Sequence, residues 1–219
     1  MFRTIARRWP RLQRVLPAAL LAACWQDCTR GEGPLVAFLG DSLTSGWRLR
    51  EEEAYPALVA RALAARGRPI RVLNAGRSGD TVAQGLARLP QVLRHRPEVL
   101  VVALGINDAL RGLPREPAEA SLRRIVGEAR QAGVRVLLVG VGGSRAGDPR
   151  LRAFAEIYPR LAAQERLPFV PDLLDGVAGH AETLFPDGLH PNASGHRRLA
   201  DNVRPQLEMV LAEVAAERR

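Results

Sequence analysis

The sequence predicts an α/β fold: a three-layer α/β/α sandwich around a central parallel sheet of about five strands. Three observations carry this. From Leu35 onward, short apolar runs alternate with longer amphipathic ones, the signature of βαβ units. The short runs are continuous and rich in Val and Leu, as strands covered on both faces require. Polar, chemically able residues follow these runs rather than precede them, and open parallel sheets bind their ligands beyond the carboxyl ends of the strands.

Taken in order, the strands fall at residues 35–39, 70–73, 99–104 and 134–139, with 169–170 a shorter fifth. Between them, residues 54–66, 81–94, 117–132 and 149–166 have helical composition and spacing, and 192–217 makes a C-terminal helix. Pro90 is expected to break or kink the second of these, because proline removes a backbone donor. The Glu51-Glu52-Glu53 run reads as a solvated helix start, favourable at the positive end of the helix dipole. No internal repeat, low-complexity tract or second domain boundary interrupts the pattern.

The chain has 219 residues, 47% hydrophobic and 25% charged, the make-up of an ordinary globular domain. Two cysteines cannot build a disulfide scaffold or a four-thiolate metal site. The net charge of +9 comes entirely from Arg, and the absence of Lys reads as a coding bias. Arg3, Arg7, Arg8, Arg11 and Arg14 lie in an acid-free stretch, residues 1–23, which leaves +4 on the remainder. Without aromatic interleaving or a clustered stripe, that charge does not argue for nucleic acid.

Residues 1–15 are basic, 16–23 are short and apolar, and Leu21-Ala22-Ala23-Cys24 closes the segment with small residues before a cysteine. That order is the n-region, h-region and cleavage site of a secretory signal. Leu-Ala-Ala-Cys also resembles a bacterial lipobox, which implies lipidation of Cys24 and attachment to a membrane. Residues 1–23 are therefore expected to be a leader, 24–34 a linker and 35–219 the functional domain of an exported protein. If Cys24 is not lipidated, Cys24 and Cys28 form a local disulfide or stay as free thiols. If the segment is no signal, it is an N-terminal extension of a cytoplasmic protein, a reading that Pro17 inside the apolar core supports.

Four loops collect the chemistry. Gly40-Asp41-Ser42-Leu43-Thr44-Ser45-Gly46-Trp47 follows the first strand and places a serine beside glycines that allow a tight turn. Asn74-Ala75-Gly76-Arg77-Ser78-Gly79-Asp80 follows the second, and Gly105-Ile106-Asn107-Asp108 the third. Asp187-Gly188-Leu189-His190 lies between Pro186 and Pro191. A carboxylate three residues before a histidine can bond one imidazole nitrogen and leave the other free as a base. Together the loops supply a nucleophile, a base, its orienter and donors for an oxyanion.

Gly-Asp-Ser-Leu at 40–43, Gly79, Gly-x-Asn-Asp at 105–108 and Asp-x-x-His at 187–190 resemble, in order and spacing, the blocks of the SGNH (GDSL esterase/lipase) hydrolases. The stretches 74–112 and 154–162 are similar to its thioesterase, lysophospholipase and arylesterase members. The resemblance covers residues 35–211. It implies the flavodoxin-like SGNH fold and hydrolysis of small acyl esters or thioesters without metal or cofactor. It further implies Ser42 as nucleophile, His190 as general base and Asp187 as its partner. The oxyanion would be held by the Ser42 amide, the Gly79 amide and the Asn107 side chain. Ile106 departs from the Gly common among thioesterase-like members and implies a tighter pocket wall. The glycine-rich stretch 140–148 is placed to gate the acyl site.

Other readings stand beside these. Ser42 could instead cap a helix. Among the remaining histidines, His196 is expected on the surface beside Arg197 and Arg198, His95 at a helix end and His180 in a loop. Asp41, Asp80 and Asp108 are expected to brace their turns. Trp47 and Tyr55 either line the pocket entrance or pack. A carbohydrate acetylesterase of the same fold, and a catalytically silent binding protein, are the rival functions. Oligomeric state and acyl-chain length are not written in the sequence.

Overall fold

The computed structural model describes residues 33–143 and 149–218. The leader, the linker residues Cys24 and Cys28, and residues 144–148 of the glycine-rich stretch lie outside them. Among the described residues no helix is long and apolar enough to cross a membrane.

Five parallel strands, β1 (Leu35–Gly40), β2 (Arg71–Gly76), β3 (Val99–Ala103), β4 (Arg135–Val139) and β5 (Phe169–Val170), form one sheet in the order β2-β1-β3-β4-β5. The expected five-strand parallel sheet is present. Strands β1 and β3 are central and almost wholly buried, which is why their sequences, LVAFLG and VLVVA, carry no charge. The helices are α1 (Ser42–Ser45), α2 (Tyr55–Ala64), α3 (Val82–Leu93), α4 (Ile106–Leu110), α5 (Arg115–Gln131), α6 (Pro149–Ala155), α7 (Ile157–Glu165) and α8 (Ala193–Glu217). Helices α2 and α8 pack together on one face of the sheet, and α3, α5 and α7 on the other, giving three layers. The chain leaves β1 toward β2 on one side and later returns to β3 on the other. That reversal places a crevice at the carboxyl ends of β1 and β3.

Four local differences from the sequence expectations have physical causes. The edge strand β2 extends to Gly76, because its last residues continue the register with β1, Asn74 opposite Phe38 and Gly76 opposite Gly40. Its end lies so close to α1 that a Cβ at Gly76 would sit 2.2 Å from the Ser45 nitrogen, so only glycine fits. Helix α3 runs unbroken through Pro90, correcting the expected break. Pro90 is exposed and lies in the last turn, where one lost bond removes little of the helix. The single helix expected over 149–166 is instead two, α6 and α7, parted at Glu156. Pro159 is the cause: its missing N–H and its ring act on the carbonyl of Ala155, four residues back, where α6 ends. Finally, the three glutamates form their own 3-10 turn, Glu51–Glu53, held by Arg50, and α2 begins only at Tyr55.

Candidate active site

The nucleophile-bearing loop is built around Asp41. Its Oδ1 accepts the Leu43 N–H at 2.9 Å, capping α1, so Ser42 is the first residue of that helix and not its cap. Asp41 is completely buried, and its Oδ2 has no hydrogen-bond partner. Burial pushes this carboxyl up to about 7, against backbone N–H bonds, that of Leu43 foremost, which favour its ionised form. Asn74 stitches the neighbouring strand to the same loop, its Nδ2 donating to the Thr44 carbonyl at 3.0 Å and its Oδ1 accepting from the Gly76 N–H at 3.0 Å.

The histidine loop is equally braced. Asp187 Oδ1 accepts the backbone N–H groups of Leu189 (2.9 Å) and His190 (3.0 Å), and its Oδ2 lies 2.9 Å from His190 Nδ1. Those backbone donors, followed by the imidazole, bring its carboxyl down to about 2, so it is ionised at neutral pH. An ionised carboxylate can only accept, so Nδ1 carries the ring proton and Nε2 presents a lone pair. Nε2 lies 3.1 Å from Ser42 Oγ, joining residues 148 positions apart in sequence. The Phe185 N–H donates to the His190 carbonyl at 2.8 Å, and Leu184 bridges Pro191, closing the loop on itself. Trp47 stacks on the imidazole, ring centroids 4.1 Å apart and planes 30° from parallel, and Phe185 meets Trp47 edge-on.

Ser42, Gly79 and Asn107 line one pocket of about 360 Å³ together with His190, Ser78, Trp47, Leu43, Ile106, Leu110 and Leu189. Asn107 Nδ2 donates one hydrogen to the Asp80 carbonyl at 3.0 Å, and the amide keeps a second N–H for the pocket. Ser42 is 9% exposed and opens onto this pocket, where a substrate carbonyl can reach it. All five residues expected to carry the chemistry are thus brought together. Of the two aromatics left open by the sequence, Trp47 lines the pocket, whereas Tyr55 is buried with its hydroxyl 3.1 Å from Thr44 Oγ1. Ile106 forms part of the wall, 5% exposed.

The surrounding acids divide as expected in kind but not in detail. Asp108 Oδ2 accepts the Val82 N–H at 3.0 Å, tying α4 to the start of α3. Asp80 pairs with Arg88, a residue that sequence spacing did not single out. His196 corrects an expectation: it is not on the surface but 1% exposed, and its Nδ1 accepts the Tyr55 N–H at 3.1 Å. Burial draws its pKa down to about 4, so the ring is neutral. The adjoining Arg197 and Arg198 misled because α8 turns each successive residue by roughly 100°, and His196 faces α2. His95 lies exposed in the turn after α3, and His180 in a loop beside Glu182. Among the described residues, no cluster of three or more His, Cys, Asp or Glu could hold a metal ion.

Residues 38–198 match the GDSL-like Lipase/Acylhydrolase family. The chain is 39% identical over 175 residues to Esterase TesA of Pseudomonas aeruginosa, covering 79% of this chain and 87% of that protein. It is 37% identical over 172 residues to Thioesterase 1/protease 1/lysophospholipase L1 of Escherichia coli K12, covering 78% and 81% respectively. A crystal structure of TesA superposes with a TM-score of 0.77 at 37% identity, covering 81% of this chain and 99% of that one.

Proposed function

The chain belongs to the GDSL-like lipase/acylhydrolase family and hydrolyses ester bonds, and we propose that it cleaves small acyl esters and thioesters through Ser42, His190 and Asp187. The observation that carries this is the unbroken relay from Asp187 Oδ2 through both imidazole nitrogens to Ser42 Oγ, in two steps of 2.9 and 3.1 Å.

Ser42 Oγ attacks the acyl carbonyl as His190 Nε2 takes its proton. The resulting oxyanion is met by the Ser42 N–H, the Gly79 N–H and the free N–H of Asn107. The alcohol or thiol departs with the proton from Nε2 and leaves the acyl group on Ser42. Water, deprotonated by the same nitrogen, then releases the acid and restores the hydroxyl. Asp187 stays ionised throughout, holding the tautomer and offsetting the imidazolium charge. The apolar walls Leu43, Ile106, Leu110 and Leu189 favour an acyl chain over a sugar.

The test is initial rates on p-nitrophenyl esters from acetate to palmitate. Ser42→Ala is expected to form no acyl-enzyme, and Asn107→Ala to lower kcat by about 10²–10³-fold with KM little changed. Undiminished turnover in either variant removes the assignment, and a response to acetate alone favours the carbohydrate acetylesterase. We further propose that residues 1–23 serve as an export leader, with 24–34 a linker to a hydrolase domain at 35–219, which leaves the enzyme periplasmic or, where Cys24 is lipidated, anchored to the cell envelope. Radiolabelled palmitate incorporation that disappears in Cys24→Ser selects the anchored form, and export without incorporation selects the periplasmic one.

A further inference from the structure

Arg88 lies on α3, away from the pocket, yet its guanidinium reaches under two of the loops that form it. Its side chain is 15% exposed. Nε donates to Asp80 Oδ2 at 2.5 Å, and Nη2 donates to the Gly40 carbonyl at 2.8 Å. Gly40 stands two residues before Ser42, and Asp80 stands immediately after Gly79. The Asp80 carbonyl in turn receives the Asn107 side chain at 3.0 Å. The Gly40 carbonyl also accepts the Arg77 N–H at 3.0 Å, so the two loops meet at that oxygen.

We propose that Arg88 is a positioning residue for the oxyanion hole, locking the Ser42, Gly79 and Asn107 donors into one arrangement through Gly40 and Asp80. This rests on the roles assigned to those three residues above. The chemistry of the side chain explains why arginine is needed. A planar guanidinium offers several N–H groups in a rigid fork and can hold a carboxylate and a carbonyl from two separate segments at once. The Asp80 carboxylate, 5% exposed on its side chain, is kept in place by that cation, and the Asp80 peptide carbonyl is thereby set against Asn107. A lysine supplies the charge at a single point and loses the fork. Donors aimed at a developing oxyanion act only if their positions are set before the charge appears, so a loosened strut is felt in the transition state rather than in substrate binding.

The test compares Arg88→Lys, Asn107→Ala and the double variant in the full chain, with thermal unfolding followed in parallel. Arg88→Lys is expected to lower kcat by roughly 10–10²-fold with KM changed less than about threefold. With Asn107 already replaced, the same substitution is expected to lower kcat by less than about fivefold, because one group it positions is gone. Asp80→Asn, which keeps the carbonyl but removes the ionic partner, is expected to repeat the pattern, and it serves if Arg88→Lys fails to fold. Equal kcat losses in both backgrounds, a loss confined to KM, or an unchanged kcat overturns the proposal. An Asn107→Ala variant with undiminished kcat overturns the underlying oxyanion assignment as well, which separates the two failures.

Discussion

Two aspartates flank the same reaction centre, and their surroundings move their carboxyl pKa values in opposite directions. Asp187 receives two backbone N–H groups and an imidazole and is brought down to about 2, whereas Asp41 is fully buried, which outweighs its backbone N–H bonds and pushes it up to about 7. The stability consequences differ in sign. The contribution of Asp187 is present above its unfolded value of 3.8 and is lost only as pH falls toward 2. Asp41 ionises near 3.8 when unfolded but near 7 when folded, so it costs stability as pH rises through that window. We therefore expect Asp41→Asn, which keeps an acceptor for the Leu43 N–H, to gain on the natural chain as pH rises from 4 to 8, by up to about 4 kcal/mol. Urea denaturation across that range checks this, and a pH-independent difference between the two proteins refutes it.

At the scale of single elements, prolines and one histidine decide what periodicity alone cannot. Pro90 and Pro159 are both helical, yet only Pro159 parts a helix, because Pro90 falls in the final turn of α3 and Pro159 near the start of α7. On α8, His196 is buried against α2 and accepts the Tyr55 N–H, joining the two helices that cover one face of the sheet. Its folded pKa of about 4 lies below the unfolded 6.5. The unfolded chain therefore binds the proton first, and stability is lost as pH falls from about 6.5 to about 4, by roughly 3 kcal/mol. His196→Gln keeps an acceptor for Tyr55 and does not titrate. Its stability relative to the natural chain should rise as pH falls through that window. The opposing Asp41 effect is common to both proteins and cancels in the difference.

For the molecule as a whole, the pocket depends on contacts between layers. The Tyr158 hydroxyl on α7 donates to the Leu104 carbonyl at 2.6 Å, at the turn from β3 into α4 that carries Asn107. Gly105 there has φ +118°, and a Cβ at that position would lie 2.2 Å from the same hydroxyl. Tyr158→Phe is expected to cost about 1–3 kcal/mol, since it leaves a buried carbonyl without this partner. Gly105→Ala should cost more, because strain at positive φ adds to the clash. If the hydroxyl is the clashing atom, Tyr158→Phe should cost less in the Gly105→Ala background than alone; strictly additive unfolding free energies would place the penalty in the backbone instead.

How far each feature was legible in the sequence follows the distance over which it is decided. The apolar runs gave the five parallel strands because burial on both faces leaves a local, unbroken pattern. The histidine loop was legible for the same reason, since Asp187 and His190 lie three residues apart and one turn joins them. Pocket residues after β1, β2 and β3 could be gathered in advance, because a parallel sheet carries the ends of its strands to one edge. Burial of His196, the raised pKa of Asp41, the stacking of Trp47 on His190 and the reach of Arg88 to Gly40 were not legible. Each depends on groups from separate elements, brought together only when helices and sheet pack. The sequence by itself determined the sheet, the order of the loops and the residue types they present. The tertiary structure alone decided which of those groups are dry, which are charged and which hold the others in place, because solvation and hydrogen bonding are set by neighbours in space, not in sequence.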